Sequence, residues 1–473
     1  MTKNADIVVL GGGIGGYTAA IRAAQLGKSV IIVEKGKLGG TCLHSGCIPS
    51  KALLRSAEVF STMQHSEDYG IEASNVSLNF YKVQERKQKI VDQLHKGVQY
   101  LMKKNKIEVI EGVGRIIGPS IFSPKSGAVA VELANSEIET LLSENLIIAT
   151  GSRPRILAGI EIDGKYVLTS DEALQLEALP KSILIIGGGV IGLEWASMLS
   201  DFGVEVTVIE YESRLVPLED DEISKELERI YKKRKIKVVT GAKVIAESVK
   251  IVNEFVELQV EYKGDQITYQ AEKVLVSVGR LANIENIGLE STDIKLERGV
   301  IRVNAMMQTS EPHIYAVGDV IGGLQLAHAA GHEGITAVEH IAGLHLHSHA
   351  PHLTPRCIYS RPEIASVGLT EKQAIESGHE VKIGKFNFKA IGKALVYGET
   401  DGFVKVIADQ KTNDILGVHM IGPHVTDFIS EAALAHVLEA TPWEVGQTIH
   451  PHPTLSEALG EAMLAVDGLA IGM

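Results

Sequence analysis

An internal repeat constrains this chain more than any other feature. The stretch Asp6-Ile-Val-Val-Leu-Gly-Gly-Gly-Ile-Gly-Gly16 returns as Ser182-Ile-Leu-Ile-Ile-Gly-Gly-Gly-Val-Ile-Gly192. Each copy is a short apolar run, a G-x-G-x-x-G turn (Gly11, Gly13, Gly16; Gly187, Gly189, Gly192) and a helical stretch ending at Gly27 or Gly203. A second apolar run then closes on an acid, Glu34 in one copy and Glu210 in the other, at the same spacing. In such a unit the first glycine permits a tight turn, the second lets backbone approach a pyrophosphate, and the third lets helix and strand pack closely. The helix N-terminus faces the phosphates and the terminal carboxylate accepts hydrogen bonds from a ribose diol. One glycine turn alone is weak evidence, whereas two complete units in register specify two dinucleotide sites.

Two dinucleotides in one chain imply electron traffic between a bound and an exchangeable redox group, commonly a flavin and a nicotinamide. At the second site Glu210 repels a ribose 2′-phosphate and Tyr211-Glu212-Ser213 supplies no cation, which favours NAD over NADP. Arg214 leaves one opening for a phosphate, as a flexible guanidinium close by.

Composition narrows the class. With 473 residues, 45% hydrophobic and 22% charged, the chain is long enough for about three domains and has ordinary globular usage. Its 46 basic against 59 acidic residues give a net charge of −13, which repels polyanions and argues against nucleic acid. The longest apolar run, Ile183 to Leu193, is broken by three glycines and falls short of a membrane span. Strand-like residues begin at Asp6 with no secretory pattern before them, and three cysteines are too few for a secreted framework, so a cytoplasmic address is expected.

The remaining punctuation fits insertion of the second unit into the first. Leu146-Ile-Ile-Ala-Thr-Gly-Ser-Arg-Pro154 and Val274-Leu-Val-Ser-Val-Gly-Arg280 resemble each other as strands leaving each nucleotide region, and Ile314-Tyr-Ala-Val-Gly-Asp319 reads as a buried strand that delivers a carboxylate. The fold class is α/β, with two Rossmann-like dinucleotide-binding domains, the second inserted in the first, and a C-terminal α+β domain. Expected boundaries are residues 1–149 and 278–347 for the first nucleotide region, 150–277 for the second and 348–473 for the last. A His-rich link, with His345, His347, His349 and His352, precedes the last domain and reads as solvated loop rather than a metal site.

Cys42 and Cys47 lie in Gly39-Gly-Thr-Cys-Leu-His-Ser-Gly-Cys-Ile-Pro-Ser-Lys51, directly after the first unit and so beside whatever it binds. Five residues along an ideal helix separate Cα atoms by roughly 8 to 9 Å, while a disulfide rarely exceeds about 7 Å. A bridged pair therefore requires a distorted helix start, which Gly46 makes cheap. Strained disulfides are readily reduced, which suits exchange. Cys357 has no local partner and reads as a thiol without a role.

These motifs, with Ile191-Gly-Leu-Glu194 and His450-Pro-His-Pro-Thr-Leu-Ser-Glu457, resemble the dihydrolipoamide dehydrogenases within the pyridine nucleotide-disulfide oxidoreductase family over essentially the whole length. The resemblance implies FAD at the first site, NAD at the second and a homodimer joined through the C-terminal domains. It implies oxidation of a protein-bound dihydrolipoyl group by NAD, in a 2-oxo acid dehydrogenase complex, with the lipoyl domain of an acyltransferase as partner. Cys42 becomes the interchange thiol, Cys47 the flavin-side thiol and His452 the base, oriented by Glu457. His450 is either catalytic or structural. Lys51 and Glu194 form an ion pair between the nucleotide sites, Asp319 bonds the flavin ribityl chain, and Ala327 offers an N–H at the start of a predicted helix. Gly114 and Gly151 join the flavin contacts, and Ile191 and Gly279 the NAD contacts; no metal is implied. Two alternatives are a glutathione- or mercuric-type reductase and a docking subunit. The first generally uses NADPH, and its mercuric form adds C-terminal thiols that Gly468-Leu-Ala-Ile-Gly-Met473 lacks. His44-Ser45 departs from the Asn-Val common in the family and bears on thiol potentials rather than on the reaction.

Overall fold

The computed structural model describes residues 2–119, 125–344 and 351–472. The chain forms two compact units, one of Met1–Ala52, Lys82–Arg155 and Arg280–His349, the other of Leu53–Tyr81, Ile156–Gly279 and Ala350–Met473.

The first unit is built on a seven-stranded sheet. Strand Thr2–Leu10 pairs in parallel with Val30–Glu34 on one side and Ile138–Ile148 on the other, and Ile314–Ala316 extends the parallel set beyond Ile148. Register brings Leu10 level with Val33 and Ile148, and Ile148 level with Ala316. The carboxyl ends of four strands therefore meet where the chain order reverses, the place where ligands bind in sheets of this kind. Side chains alternate between two layers, as period-2 strands buried on both faces must. Ile7 and Val9 enter a core with Ala19, Ala23 and Ala337 of helices Ile14–Gln25 and Ala327–Ile341, while Val8 and Leu10 enter one with Val129 and Ile314. Those two helices cross so closely that a Cβ on Gly334 would sit 2.5 Å from the Gly15 carbonyl oxygen.

The second unit repeats the scheme and adds to it. Its parallel sheet runs Lys237–Val239, Glu205–Ile209, Ser182–Ile186, Lys273–Val276, Val167–Leu168. These strands fall in sequence between Ile138–Ile148 and Ile314–Ala316 of the first sheet, so the expected insertion is present. The two segments read as similar strand ends are paired: Ser152–Pro154 lies antiparallel to Arg280–Ala282 where the chain leaves and re-enters the first unit. The C-terminal part is a five-stranded antiparallel sheet from Arg356–Ile358 to Ile415–Gly422, with helices Val425–Val437 and Glu457–Ala465 packed on it through Ile429, Leu459 and Met463.

One histidine here is fully buried and a second partly so. His419 is fully buried, donates from Nε2 to the Leu369 carbonyl oxygen at 2.9 Å, and is lowered by burial. Burial, with His352 and His419 adding to it, pushes His436 from an ordinary 6.5 down to about 4. A histidine that resists protonation only when folded contributes stability above the unfolded value, and that contribution is lost as pH falls toward the folded one. The unfolding free energy from urea titration is expected to drop between pH 6.5 and about 4, and His436→Leu should shrink the drop by about 2 kcal/mol, allowing for its partial exposure. An equally steep drop in the variant would exclude this source.

Candidate active site

The first glycine turn is shaped by what surrounds it. Gly11 has φ +110°, and a Cβ there would lie 2.3 Å from the Ala149 carbonyl oxygen. One on Gly16 would lie 1.9 Å from the carbonyl oxygen of Gly11, so the helix start seats directly on the turn. At Gly13, by contrast, the nearest atom to an added Cβ is Gly40 Cα at 3.8 Å. Gly13 is also the N-cap of helix Ile14–Gln25, with no side chain capping it among the described residues. This leaves helix N–H groups facing a cleft of about 760 Å³ whose walls include Gly13, Glu34, Thr41, Gly114 and Gly151. Glu34 accepts hydrogen bonds from Gly12 N–H at 2.6 Å and Gly36 N–H at 2.7 Å, and its two oxygens retain lone pairs for a diol.

The second turn has the same build. Gly187 has φ +111° with the Ser277 carbonyl oxygen 2.4 Å from an added Cβ, a Cβ on Gly192 would lie 2.1 Å from the Gly187 carbonyl oxygen, and Gly189 faces open space among the described residues. Glu210 accepts from the Gly188 and Glu212 N–H groups. Ile191, Gly192 and Glu194 lie in helix Val190–Asp201, where Glu194 also accepts from the Tyr359 N–H at 3.0 Å. Gly279, φ +106°, borders open space among the described residues, as Gly151 does at the first site.

The thiols stand on two separate helices. Cys42 lies in Gly40–His44, the helical course breaks at Ser45 and Gly46, and Cys47 opens Cys47–Gln64. A Cβ on Gly46 would be 3.0 Å from the Thr41 carbonyl oxygen and 3.3 Å from Cys42 Cα, so a larger residue would have to push its neighbours aside by a few tenths of an ångström where the chain folds back. The distortion expected from the spacing is therefore present. The two side chains are hydrogen-bonded as thiols, and this bond and burial push Cys42 far up, opposed by the positive charge of Lys51 one turn beyond Cys47. His44 donates from Nε2 to the Leu38 carbonyl oxygen at 2.8 Å, shares that acceptor with His95 Nδ1 at 2.9 Å, and is lowered chiefly by burial.

Asp319 sits in a single 3₁₀ turn, Gly318–Ile321, after strand Ile314–Ala316, and Ala327 is the first residue of its helix, as expected. Three residues around Asp319 were not singled out from the sequence. Ser152 donates its hydroxyl to Asp319, Arg280 donates to the Ser152 hydroxyl at 2.7 Å and carbonyl oxygen at 3.0 Å, and Glu333 accepts from the Gly318 N–H at 2.7 Å. Ser152 and Arg280 lie in the paired strand ends noted in the sequence, so their signal was present there.

In the C-terminal part, His452 Nδ1 and Glu457 Oε1 are 2.8 Å apart, and Glu457 Oε2 accepts from the Thr454 N–H at 2.8 Å. Burial pushes the Glu457 carboxyl up, but the bonds from His452 and Thr454 outweigh it and hold the group below its usual value. The His452 side chain is 78% exposed. His450 packs against Gly460 and bonds Glu431 at 2.8 Å, which raises its pKa, and this favours the structural reading. Cys357 packs at the edge of the C-terminal core. His345, His347 and His349 lie outside the described residues, and no metal-type cluster of His, Cys, Asp or Glu occurs among the described ones. Among the described residues no helix is long and apolar enough to cross a membrane.

Residues 5–334 match the family model for pyridine nucleotide-disulphide oxidoreductases, and residues 354–463 match the dimerisation domain of the same family. The chain belongs to the pyridine nucleotide-disulphide oxidoreductase family. It is 66% identical to a dihydrolipoyl dehydrogenase of Bacillus subtilis over 100% of both chains, and 43% identical to one of Zymomonas mobilis over 100% of both. The crystal structure of LpdA from Mycobacterium tuberculosis matches with a TM-score of 0.90 at 26% identity, covering 97% of this chain and 98% of that one. The flavoprotein disulfide reductase RclA from Escherichia coli matches with a TM-score of 0.85, also at 26% identity, over 98% and 99%. The family's cofactors, FAD and NAD(H), suit the two sites: each has a glycine facing open space, an uncapped helix start and an acid at the second strand's end.

Proposed function

We propose that the chain oxidises protein-bound dihydrolipoyl groups to lipoyl with NAD+, as the dihydrolipoyl dehydrogenase of a 2-oxo acid dehydrogenase complex. The observation that carries this reading is the Cys42 and Cys47 pair, folded together by Gly46 next to the residues that wall the first cleft. In this reading residues 1–149 and 278–347 hold FAD, residues 150–277 hold NAD and residues 348–473 join two copies. Gly11, Gly13, Gly16, Glu34, Lys51, Gly114, Gly151, Asp319 and Ala327 serve FAD, and Gly187, Gly189, Ile191, Gly192, Glu194, Glu210 and Gly279 serve NAD.

The chain's own residues carry the thiol chemistry. The Glu457 bond keeps the His452 proton on Nδ1, so Nε2 offers a lone pair and takes the proton of a substrate thiol. The resulting thiolate attacks Cys42 Sγ of the oxidised pair, the Cys42–Cys47 bond breaks, and Cys47 leaves as thiolate. The second substrate sulfur then displaces Cys42 and closes the lipoyl ring. FAD held by Glu34, Asp319 and the first glycine turn would supply the two-electron acceptor that lets the Cys42–Cys47 disulfide re-form, with NAD+ as the final hydride acceptor. Lys51 stabilises negative charge at that end of the pair.

The test is an anaerobic visible spectrum as dihydrolipoamide and then NAD+ are added. A long-wavelength band from the Cys47 thiolate, followed by NADH, is the expected result. A yellow protein indifferent to dihydrolipoamide but reduced by NADPH would instead favour a different disulfide substrate. The turns provide a second check, because alanine clashes with backbone at both. Gly11→Ala should yield protein without flavin, whereas Gly187→Ala should keep flavin and lose NAD+ affinity; flavin loss from both variants would overturn the assignment of the two sites.

A further inference from the structure

Lys405 is a charged side chain in the interior, 1% exposed, on strand Phe403–Asp409. Its ammonium pairs with Asp220 at 3.0 Å, Glu222 at 2.9 Å and Glu371 at 2.6 Å. Next to it, buried Glu219 accepts from Arg356 at 3.0 Å and from the Ser366 hydroxyl at 2.6 Å. Such a network is weak evidence for stability, since apolar replacements of buried ion pairs are often neutral or stabilising. What it does fix is the position of Glu219 and Asp220, the last residues before helix Asp221–Lys233.

Those two acids end the loop that begins at Glu210. Within it Arg214 is not a flexible cation. Its guanidinium donates to the Glu219 carbonyl oxygen at 2.9 Å and the Pro217 carbonyl oxygen at 2.7 Å, and pairs with Asp221 at 2.9 Å. The loop also grips the glycine fingerprint: Val216 N–H donates to the Gly188 carbonyl oxygen at 3.0 Å, and Leu215 packs so that a Cβ on Gly188 would be 2.6 Å from its Cδ2. Gly188 is the residue whose N–H binds the Glu210 carboxylate. Val216 holds φ +40°, an unfavourable conformation for a β-branched residue, which persists only where the surroundings impose it.

We propose that Arg356 and Lys405 are positioning residues for the adenosine end of the NAD site: through Glu219 and Asp220 they impose the strained loop course that presses Leu215 and Val216 onto Gly188 and so sets Glu210 toward the ribose. This rests on the NAD reading above. The antiparallel sheet of the C-terminal part thereby tunes nucleotide affinity through the Glu210–Asp220 loop.

The test compares wild-type holoenzyme with Lys405→Met and with the paired change Arg356→Met/Glu219→Gln, which removes both charges together and leaves no buried ion unpaired. Calorimetry with ADP-ribose reads the adenosine end directly. Each variant is expected to bind ADP-ribose about tenfold more weakly and to show KM for NAD+ raised by the same factor, with kcat and KM for dihydrolipoamide unchanged. Lys405→Arg should restore most of the affinity. Should Lys405→Met fail to fold, the paired variant decides. Folded variants that bind ADP-ribose as wild type does would overturn the proposal alone. Wild-type protein that binds no ADP-ribose would overturn the NAD reading and the proposal together.

Discussion

A Cys47→Ser variant is expected to lose dihydrolipoamide-driven NAD+ reduction by about three orders of magnitude or more, while still folding and retaining FAD. The hydroxyl is nearly isosteric with the thiol, and Cys47 opens a helix rather than filling a core, so the fold has little to lose. The chemical reason is that Cys42 alone forms no disulfide with a neighbour, so the substrate thiolate has no S–S bond to attack and the dithiol has no route by which to give up its electrons. The same variant separates catalysis from docking. A purely docking subunit would bind its acyltransferase core as before and would have had no turnover to lose. Turnover within about tenfold of wild type would show that the pair is not the reacting disulfide.

His452→Gln should lower kcat by about two to four orders of magnitude, the usual worth of a positioned general base. Glu457→Gln should cost less, about tenfold to a hundredfold, because the imidazole remains while its orientation and tautomer are no longer fixed. Dye reduction by NADH should survive in both variants, since it requires no thiol proton transfer. The exposed His452 on a chain with a dimerisation domain suggests that the base serves a second copy. Co-expression of Cys47→Ser with His452→Gln tests this, for a mixed dimer then holds one intact set of residues. Activity that does not return in the mixed dimer would place base and thiols in the same chain.

Much of this was legible in the sequence because the backbone demands at these sites have only one chemical solution. Gly11 and Gly187 need φ above +100° beneath a carbonyl oxygen, and Gly16 and Gly192 need a helix seated on a turn. No other residue type meets those demands, so they are written as glycine at fixed spacing. Glu34 ends its strand and Glu210 directly follows one, each at the same spacing from its glycine turn, and His452 and Glu457 lie near enough in sequence for a local bond. What only the tertiary structure decided lies between residues far apart in the chain. Ser152, Arg280 and Glu333 converge on the Gly318-Asp319 turn, His95 joins His44 at one carbonyl oxygen, and Arg214 turns inward instead of toward a phosphate. Lys405, which no motif in the sequence marks, is buried among three carboxylates. A side chain's partner across a fold has no fixed spacing from it, and the worth of a charge depends on whether water or protein surrounds it, which is settled only when the sheets and helices have closed.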